Sequence, residues 1–268
     1  MSYPTLRLHP RKEESVLRFH PWIFSGAIAS FSAPVEDGDL VSVVDSKGRP
    51  LGTGHFGGGS IAVRLLSFDA KEVIDSAFYK RRLEAALRLR LSCDLIRPAG
   101  SCDSPNTAYR LVHGEGDSLP GLIIDIYDRT AVVQAHSLGM HQARQIIAEV
   151  LWEVFAEAGD PVRPLEGVYY KSETTLPTRD MRELASDGFL IGHTEAAPIY
   201  ENGVRFTPDW LKGQKTGFFI DQRDNRALVA HYAKGRTVLN AFCYTGGFSI
   251  YALHAGAKRV DSLDSSAK

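Results

Sequence analysis

Cysteine is scarce in this sequence: three residues in 268, at Cys93, Cys102 and Cys243. None stands in a C-x-x-C pair, and the odd count argues against both a disulfide framework and a zinc ribbon. Long apolar runs are missing, so no segment is expected to span a bilayer. The opening MSYPTLRLHPRKEE holds no apolar stretch with a small-residue cleavage site after it, so no signal peptide is expected. Excess charge of either sign is also absent: 31 Lys+Arg against 32 Asp+Glu leave a formal net charge of −1. Any nucleic-acid binding must then come from a local basic patch and not from a global field. Repeats and low-complexity tracts are lacking. What is present, 44% hydrophobic, 24% charged and 10% aromatic residues, is the composition of a folded protein. The length suits one large domain or two to three small ones. A cytoplasmic protein is expected.

Three stretches differ in pattern. Residues 1–72 read as a small all-β unit, with strand candidates over 39–45, 51–56 and 61–68 and the aromatic-rich HPWIFSGAI (20–28) ahead of them. Residues 73–185 read as α+β. A helix is predicted over 75–91, capped by Ser76, with Leu83, Leu87 and Leu91 as its apolar stripe. Strands over 109–113, 121–127 and 130–136, a second helix over 141–158 and a strand over 167–171 follow a loop at 92–107. Residues 186–268 open with a hairpin over 197–207 whose Asn202-Gly203 turn suits type I′ geometry. Beyond it, a strand over 237–242, the turn Thr245-Gly246-Gly247, a helix bearing Phe248, Tyr251, Ala252 and Ala255 on one face, and a strand over 259–263 make a βαβ unit.

That unit is the most informative stretch. A parallel strand ending in a Gly-rich turn brings backbone N–H groups and a helix N-terminus to the crevice where nucleotide-type ligands bind. Asp264 follows the second strand, where an acidic side chain can accept ribose hydroxyls. The turn reads NAFCYTGGF and not G-x-G-x-x-G, so it suits a nucleoside bearing a sulfonium, which aromatic faces attract, better than a pyrophosphate. On pattern alone, a turn that merely joins strand to helix, with Asp264 capping the next helix, accounts for the same residues. A second cluster, GQKTGFFIDQRDNR (213–226), packs Lys215, Asp221, Gln222, Arg223, Asp224, Asn225 and Arg226 around an apolar centre. An N-cap by Asp221 of a helix running to Tyr232 explains part of it.

KTGFFIDQRDNR followed by VLNAFCYTGGFSIYALHAGAKRVDSLDSS closely resembles the ribosomal RNA large subunit methyltransferase I family, which are S-adenosyl-L-methionine-dependent RNA cytosine-5 methyltransferases. The resemblance runs the whole chain. HPWIFSGAI and the strands after it look like the family's RNA-binding PUA domain, and RLVHGEGDSLPGLIIDIYD (110–128) looks like the signature of its central domain. It implies a multidomain α/β and α+β architecture: a PUA-like β-barrel over 1–72, a central α+β domain over 73–185, and over 186–268 a hairpin linker with the start of a Rossmann-like class I methyltransferase domain. Asn240, Phe242, Tyr244, Thr245, Gly246 and Gly247 become methyltransferase motif I, and Asp264 the ribose-binding acid. Lys215, Thr216, Gly217, Phe219, Asp221, Gln222 and Arg223 would wrap the cofactor, S-adenosyl-L-methionine. The implied partner is ribosomal RNA, with no membrane and no metal; a homodimer is compatible.

The family's Asp-Pro-Pro motif and later Ser-Cys-Ser motif have no counterpart in these residues. Cytosine C5 is unactivated until a thiolate adds to C6, and Cys243 lies inside the cofactor turn. No catalytic residue is therefore expected in this chain, and the 268 residues alone are expected to transfer no methyl group. A non-catalytic RNA-binding protein with a vestigial methyltransferase domain, or an enzyme for a different base, is the alternative. Three further features have bland and sharp readings. His113, Glu115 and Asp117 suggest an acid/base or metal site or, more simply, a polar loop. Lys80, Arg81, Arg82, Arg88 and Arg90 suggest a phosphate-contacting face or a solvated helix. Arg7, His9, Arg11, Lys12 and Arg18 beside Trp22 and Phe24 suit single-stranded RNA, with the two aromatics more simply in the core.

Overall fold

Alternation of apolar and polar residues builds the first layer. The computed structural model describes residues 3–177 and 186–265. Strands β1 (Thr5–Leu8), β2 (Trp22–Phe24), β3 (Ile28–Phe31), β4 (Leu40–Val44), β5 (Pro50–Phe56) and β6 (Ile61–Ser67) form one sheet in the order β2-β6-β5-β4-β1-β3. Successive side chains of a strand face opposite sides, so Val41 and Val43 of β4 join Leu6, Leu8, Ile23, Val63 and Leu65 in its core. The same alternation overturns the core assignment of the β2 aromatics. Ile23 is the buried residue, and its neighbour Phe24 is 52% exposed. A short helix α1 (Glu14–Leu17) lies between β1 and β2.

The central sheet takes β7 (Ala108–His113), β8 (Leu122–Tyr127), β9 (Thr130–Ala135), β10 (Gly167–Tyr170) and β11 (Gly188–Gly192), in the order β11-β10-β9-β8-β7. It thus continues past the boundary expected at 185, because β11 pairs antiparallel along β10. Helices α2 (Ser76–Ser92), α3 (Leu138–Gln142) and α4 (Arg144–Glu157) accompany this sheet. Leu83 and Leu87 of α2 and Ile147, Leu151 and Phe155 of α4 bury one face of it. The helix expected over 141–158 is two pieces, with Ala143 at the break. The opposite face packs Ala108, Tyr127, Val132 and Tyr169 against Ile199, Trp210, Phe218 and Ile220 of the C-terminal region. With both faces covered, β9 is buried along its whole length.

The C-terminal region holds the hairpin β12 (Ile199–Glu201) and β13 (Val204–Phe206), with Asn202 at φ 49 and Gly203 at φ 82, as a type I′ turn requires. Then come α5 (Arg223–Ala233), β14 (Thr237–Ala241), α6 (Gly247–His254) and β15 (Arg259–Leu263), the last strand parallel to β14. Among the described residues no helix is long and apolar enough to cross a membrane.

Most basic residues of α2 are paired with acidic groups outside the helix, while Arg88 meets only Glu84 one turn away. Lys80 reaches Glu153 at 2.5 Å and Glu157 at 2.9 Å, Arg81 reaches Glu72 at 2.8 Å, and Arg90 grips both oxygens of Asp117. A phosphate-contacting stripe is thereby dispersed. Beyond His113, the end of β7, Gly114–Asp117 turn as a short 3-10 segment, so the three residues do not lie on one extended chain. Glu115 accepts the Trp22 indole N–H at 2.7 Å and Asp117 accepts the His113 backbone N–H at 2.6 Å, so both carboxylates are structural.

The α2 cap is Asp75, one residue before the expected Ser76; its Oδ1 accepts the Phe78 backbone N–H at 2.9 Å. Asp75→Ala should lower the unfolding free energy by about 1 kcal/mol, read by urea denaturation, while Ser76→Ala should leave it nearly unchanged.

Candidate cofactor site

Two walls face each other across a cavity of about 310 Å³. The first is the segment from Trp210 to Gln222, anchored from beneath by the central sheet. Asp125 and Tyr127 sit two apart on β8 and so share its C-terminal-facing side. Thr216, fully buried, donates its hydroxyl to Asp125 Oδ2 at 2.6 Å and lies 2.8 Å from the Tyr127 hydroxyl. Arg110, directly opposite Asp125 on β7, closes the group with two hydrogen bonds of 2.8 and 2.9 Å. Burial, the largest influence, pushes the Tyr127 phenol well above its ordinary range, so it stays neutral. Lys171, at the end of β10, donates to the carbonyls of Trp210 and Gly213 at 2.7 Å each. Gly217 has φ +122, and a Cβ there would lie 2.7 Å from the Trp210 backbone, so only glycine fits.

This anchoring turns Lys215, Phe219, Asp221 and Gln222 into the cavity. Lys215 Nζ lies 4.3 Å from the centre of the Phe219 ring and 3.3 Å from Asp221. Burial raises the Asp221 carboxyl, but hydrogen bonds from Gln222 and Lys215 outweigh it and hold the group below its usual value. Asp221 is not the cap of α5. That helix starts at Arg223 behind Gln222, with no side-chain cap bond.

The second wall is the turn after β14. Phe242 and Tyr244 adopt positive φ of 60 and 50, and Gly246, at φ 81, caps α6. Asp264 Oδ2 accepts the Tyr244 backbone N–H at 2.8 Å, and Cys243 N–H bonds the Leu263 carbonyl at 3.1 Å. Asn240 donates to Ser249 Oγ at 2.8 Å, which lies 2.7 Å from Ser262 Oγ; this polar chain ties α6 to β14 and β15. The walls meet where the Phe219 and Tyr244 rings pack edge to face at 5.2 Å and the Tyr244 hydroxyl accepts the Gln214 backbone N–H at 3.0 Å.

Of the residues expected here, Lys215, Phe219, Asp221, Gln222, Phe242, Tyr244, Thr245 and Gly247 line the cavity. Thr216 and Gly217 lie beneath the wall, and Asn240, Gly246 and Asp264 shape the turn. Arg223 lines a neighbouring cavity of about 340 Å³ with Arg90, Arg110 and His113. Phe218, Arg226 and Phe248 line the cavity without having been expected to, and Cys243 lines it from within the turn, as its place in the sequence implied. Arg226 is 2% exposed and forms a two-pronged ion pair with Glu201 at 2.8 and 2.7 Å, while its guanidinium lies 4.6 Å from the Phe218 ring centre. Cys243 is half-buried, its Sγ 3.7 Å from the Tyr244 carbonyl oxygen.

Residues 6–68 match a PUA-like domain family, and residues 177–268 match an S-adenosylmethionine-dependent methyltransferase family. A ribosomal RNA large subunit methyltransferase I of Shewanella denitrificans is 40% identical over 267 residues, which is 98% of this chain and 63% of that protein. Its counterpart in Pseudoalteromonas atlantica is 40% identical over 258 residues, 96% of this chain and 62% of the relative. A SAM-dependent methyltransferase of Streptococcus mutans has the same fold, with a TM-score of 0.78 and 24% identity over 100% of this chain and 64% of its own. A further solved structure, a methyltransferase complexed with SAH, matches with the same TM-score of 0.78 and 24% identity over 100% of this chain and 63% of its own. The chain therefore spans somewhat less than two thirds of the curated relatives it matches. Across that span it is similar to ribosomal RNA large subunit methyltransferase I proteins, and its C-terminal third matches an S-adenosylmethionine-dependent methyltransferase family.

Proposed function

We propose that this chain is the RNA-binding and cofactor-binding portion of an S-adenosyl-L-methionine-dependent methyltransferase that forms 5-methylcytosine in large-subunit ribosomal RNA. In this reading residues 1–72 are the RNA-binding domain, 73–185 the central domain, to which β11 (Gly188–Gly192) is added by its pairing with β10, and the residues from there to 268 the linker and the first part of the methyltransferase domain. The same reading puts the protein in the cytoplasm with its RNA and allows a homodimer. The observation that carries it is the cavity between Lys215–Gln222 and Phe242–Phe248.

The residues present fit the cofactor. Aromatic faces at Phe218, Phe219, Tyr244 and Phe248 attract a sulfonium. Lys215 and Asp221, half-exposed and already paired at 3.3 Å, offer the opposite charges that match an amino acid's carboxylate and ammonium. Asp264, oriented by the Tyr244 N–H, would accept the ribose hydroxyls. When bound, the cofactor supplies an electrophilic methyl group. The residues of this chain hold and orient it; Cys243 belongs to the cofactor wall, its thiol turned toward the Tyr244 carbonyl, and is not the nucleophile. Large-subunit ribosomal RNA as substrate draws its support from the names of the curated relatives, and cytosine C5 from the family resemblance.

Asp264→Ala should weaken S-adenosylhomocysteine binding by roughly 10- to 100-fold, the loss of hydrogen bonds to a charged acceptor, measured by calorimetric titration. Unchanged affinity removes Asp264 from the site. Binding to a ribosomal RNA fragment should weaken as salt rises. Arg11, Lys12 and Arg18 are exposed, as is Phe19 at 74%; replacing the three cations with alanine should flatten that salt dependence in fluorescence anisotropy, by about one unit of log–log slope per lost phosphate contact. Cys243→Ser should leave S-adenosylhomocysteine binding within a few-fold of the parent. Tritiated methyl transfer to unmodified ribosomal RNA that is present in the parent chain and abolished by Cys243→Ser would make Cys243 the nucleophile.

A further inference from the structure

A second cavity, of about 320 Å³, opens where the first sheet meets the central domain, away from the cofactor site. The first sheet contributes Asp37, His55, the Gly57–Ser60 connection between β5 and β6, and Arg64; Ser137, at the start of α3, closes the other side. The Asp37 carboxylate and His55 Nδ1 have no hydrogen-bond partner among the described residues, and Arg64 has only the charge of Glu115 to answer it at longer range. Arg64 is half-buried yet makes no ion pair or hydrogen bond among the described residues. Every other interior cation named above is engaged: Arg90 by Asp117, Arg110 by Asp125, Arg226 by Glu201, and Lys171 by two carbonyls. The Arg64 stem runs past Gly121, and its side chain also borders a smaller cavity of about 180 Å³ with Glu115 and His136. Glu115 is itself occupied by the Trp22 indole.

Asp37 presents the opposite charge. Its backbone carbonyl accepts from Gln142 at 3.4 Å, but its carboxylate has no partner among the described residues. That carboxylate rests on the α-carbon of Gly58, where a Cβ would come within 3.0 Å of Oδ1. His55 is only 6% exposed, and its Nδ1 is buried with no hydrogen-bond partner. Burial pushes the His55 pKa down to about 4, so near neutral pH the ring has one donor and one acceptor nitrogen. Buried polar groups are normally satisfied, so the wall is built to meet a polar ligand.

A guanidinium alone would take a phosphate, but a carboxylate in the same cavity repels one. The pair calls for a neutral, planar group that donates on one edge and accepts on another. Guanine does both in two-pronged fashion: N1–H and the N2 amino group toward a carboxylate, O6 and N7 toward a guanidinium. Adenine lacks the ring N–H and puts a donor where guanine has O6. Bases of this kind are read in RNA when they are unpaired and splayed from the stack. We propose that this cavity binds one unpaired guanine of the RNA, with Asp37 on its Watson–Crick edge and Arg64 on O6 and N7, a subsite that rests on the reading of the chain as RNA-binding.

The test uses the full chain and hairpin RNAs whose loop holds a single guanosine, with binding read by fluorescence anisotropy. Replacing that guanosine by adenosine should weaken binding about tenfold or more. Inosine, which lacks the amino group, and 7-deazaguanosine, which lacks N7, should each lose part of that factor. In Asp37→Asn and Arg64→Met the guanosine-to-adenosine ratio should fall toward one. The ratio is taken within each variant, so a reduced folded fraction does not affect it, and the base series on the parent protein decides the matter even if a variant fails to fold. Equal binding of guanosine and adenosine loops by the parent overturns the subsite and leaves RNA binding standing. Weakening by Arg64→Met with no dependence on the base marks a phosphate contact and also overturns it. Absence of any RNA binding by the parent overturns the functional reading as well.

Discussion

A buried carboxylate governs how this molecule is assembled. Asp125 is fully buried on the central sheet, where an uncompensated charge would cost several kcal/mol. Arg110, opposite it on β7, answers part of that demand, and the Thr216 hydroxyl answers the rest at 2.6 Å. Thr216 belongs to the C-terminal segment, so the central sheet's own polar interior is complete only when the cofactor wall is docked on it. Lys171 repeats the arrangement from β10 with two main-chain carbonyls of the same segment. The residues that line this side of the cavity thus project from a loop that has little freedom to drift. Such anchoring from below is what a site needs if its first contacts are to be held in place.

The junction between the first sheet and the central domain follows a looser rule. Trp22 to Glu115 at 2.7 Å, the Ile74 backbone N–H to Tyr3 Oη at 3.3 Å and Gln142 to the Asp37 carbonyl at 3.4 Å are single hydrogen bonds between exposed or partly exposed groups. No buried ion pair spans it among the described residues. One junction is locked by desolvated charge and the other is stitched by polar contacts around cavities.

Local chemistry made much of this legible in the sequence. The Asn202-Gly203 turn, the alternation along β4, the Gly-rich turn after β14 and the apolar stripe of α2 each follow from constraints within a few residues. What escaped was decided by partners far along the chain. Asp75 and Ser76 are equally good caps on paper, and only the backbone at Asp75, extended at φ −132, selects between them. The strand β11 was not expected, because what defines it is its pairing with β10, 18 or more positions earlier. In the cofactor site, Lys215, Asp221 and Tyr244 stood out by type and spacing. Arg226 looked like one more polar residue of a helix start, since nothing near it announces Glu201, 25 positions away. The basic residues of α2 left a phosphate-contacting face and a solvated helix equally open for the same reason.

The Arg226–Glu201 pair shapes the field inside the cavity it borders. An unpaired guanidinium among Phe218, Phe248 and Tyr251 would bring a net positive charge to a wall whose aromatic faces invite cations. Glu201, wholly buried and 2.7 Å from the guanidinium, cancels that charge at short range and leaves a flat, polar surface with little net field. Lys215 is balanced by Asp221, on the same wall, in the same way. A ligand that carries its own positive centre therefore meets an enclosure that is electrically quiet, and the residue most responsible for that quiet sits at a hairpin it never touches.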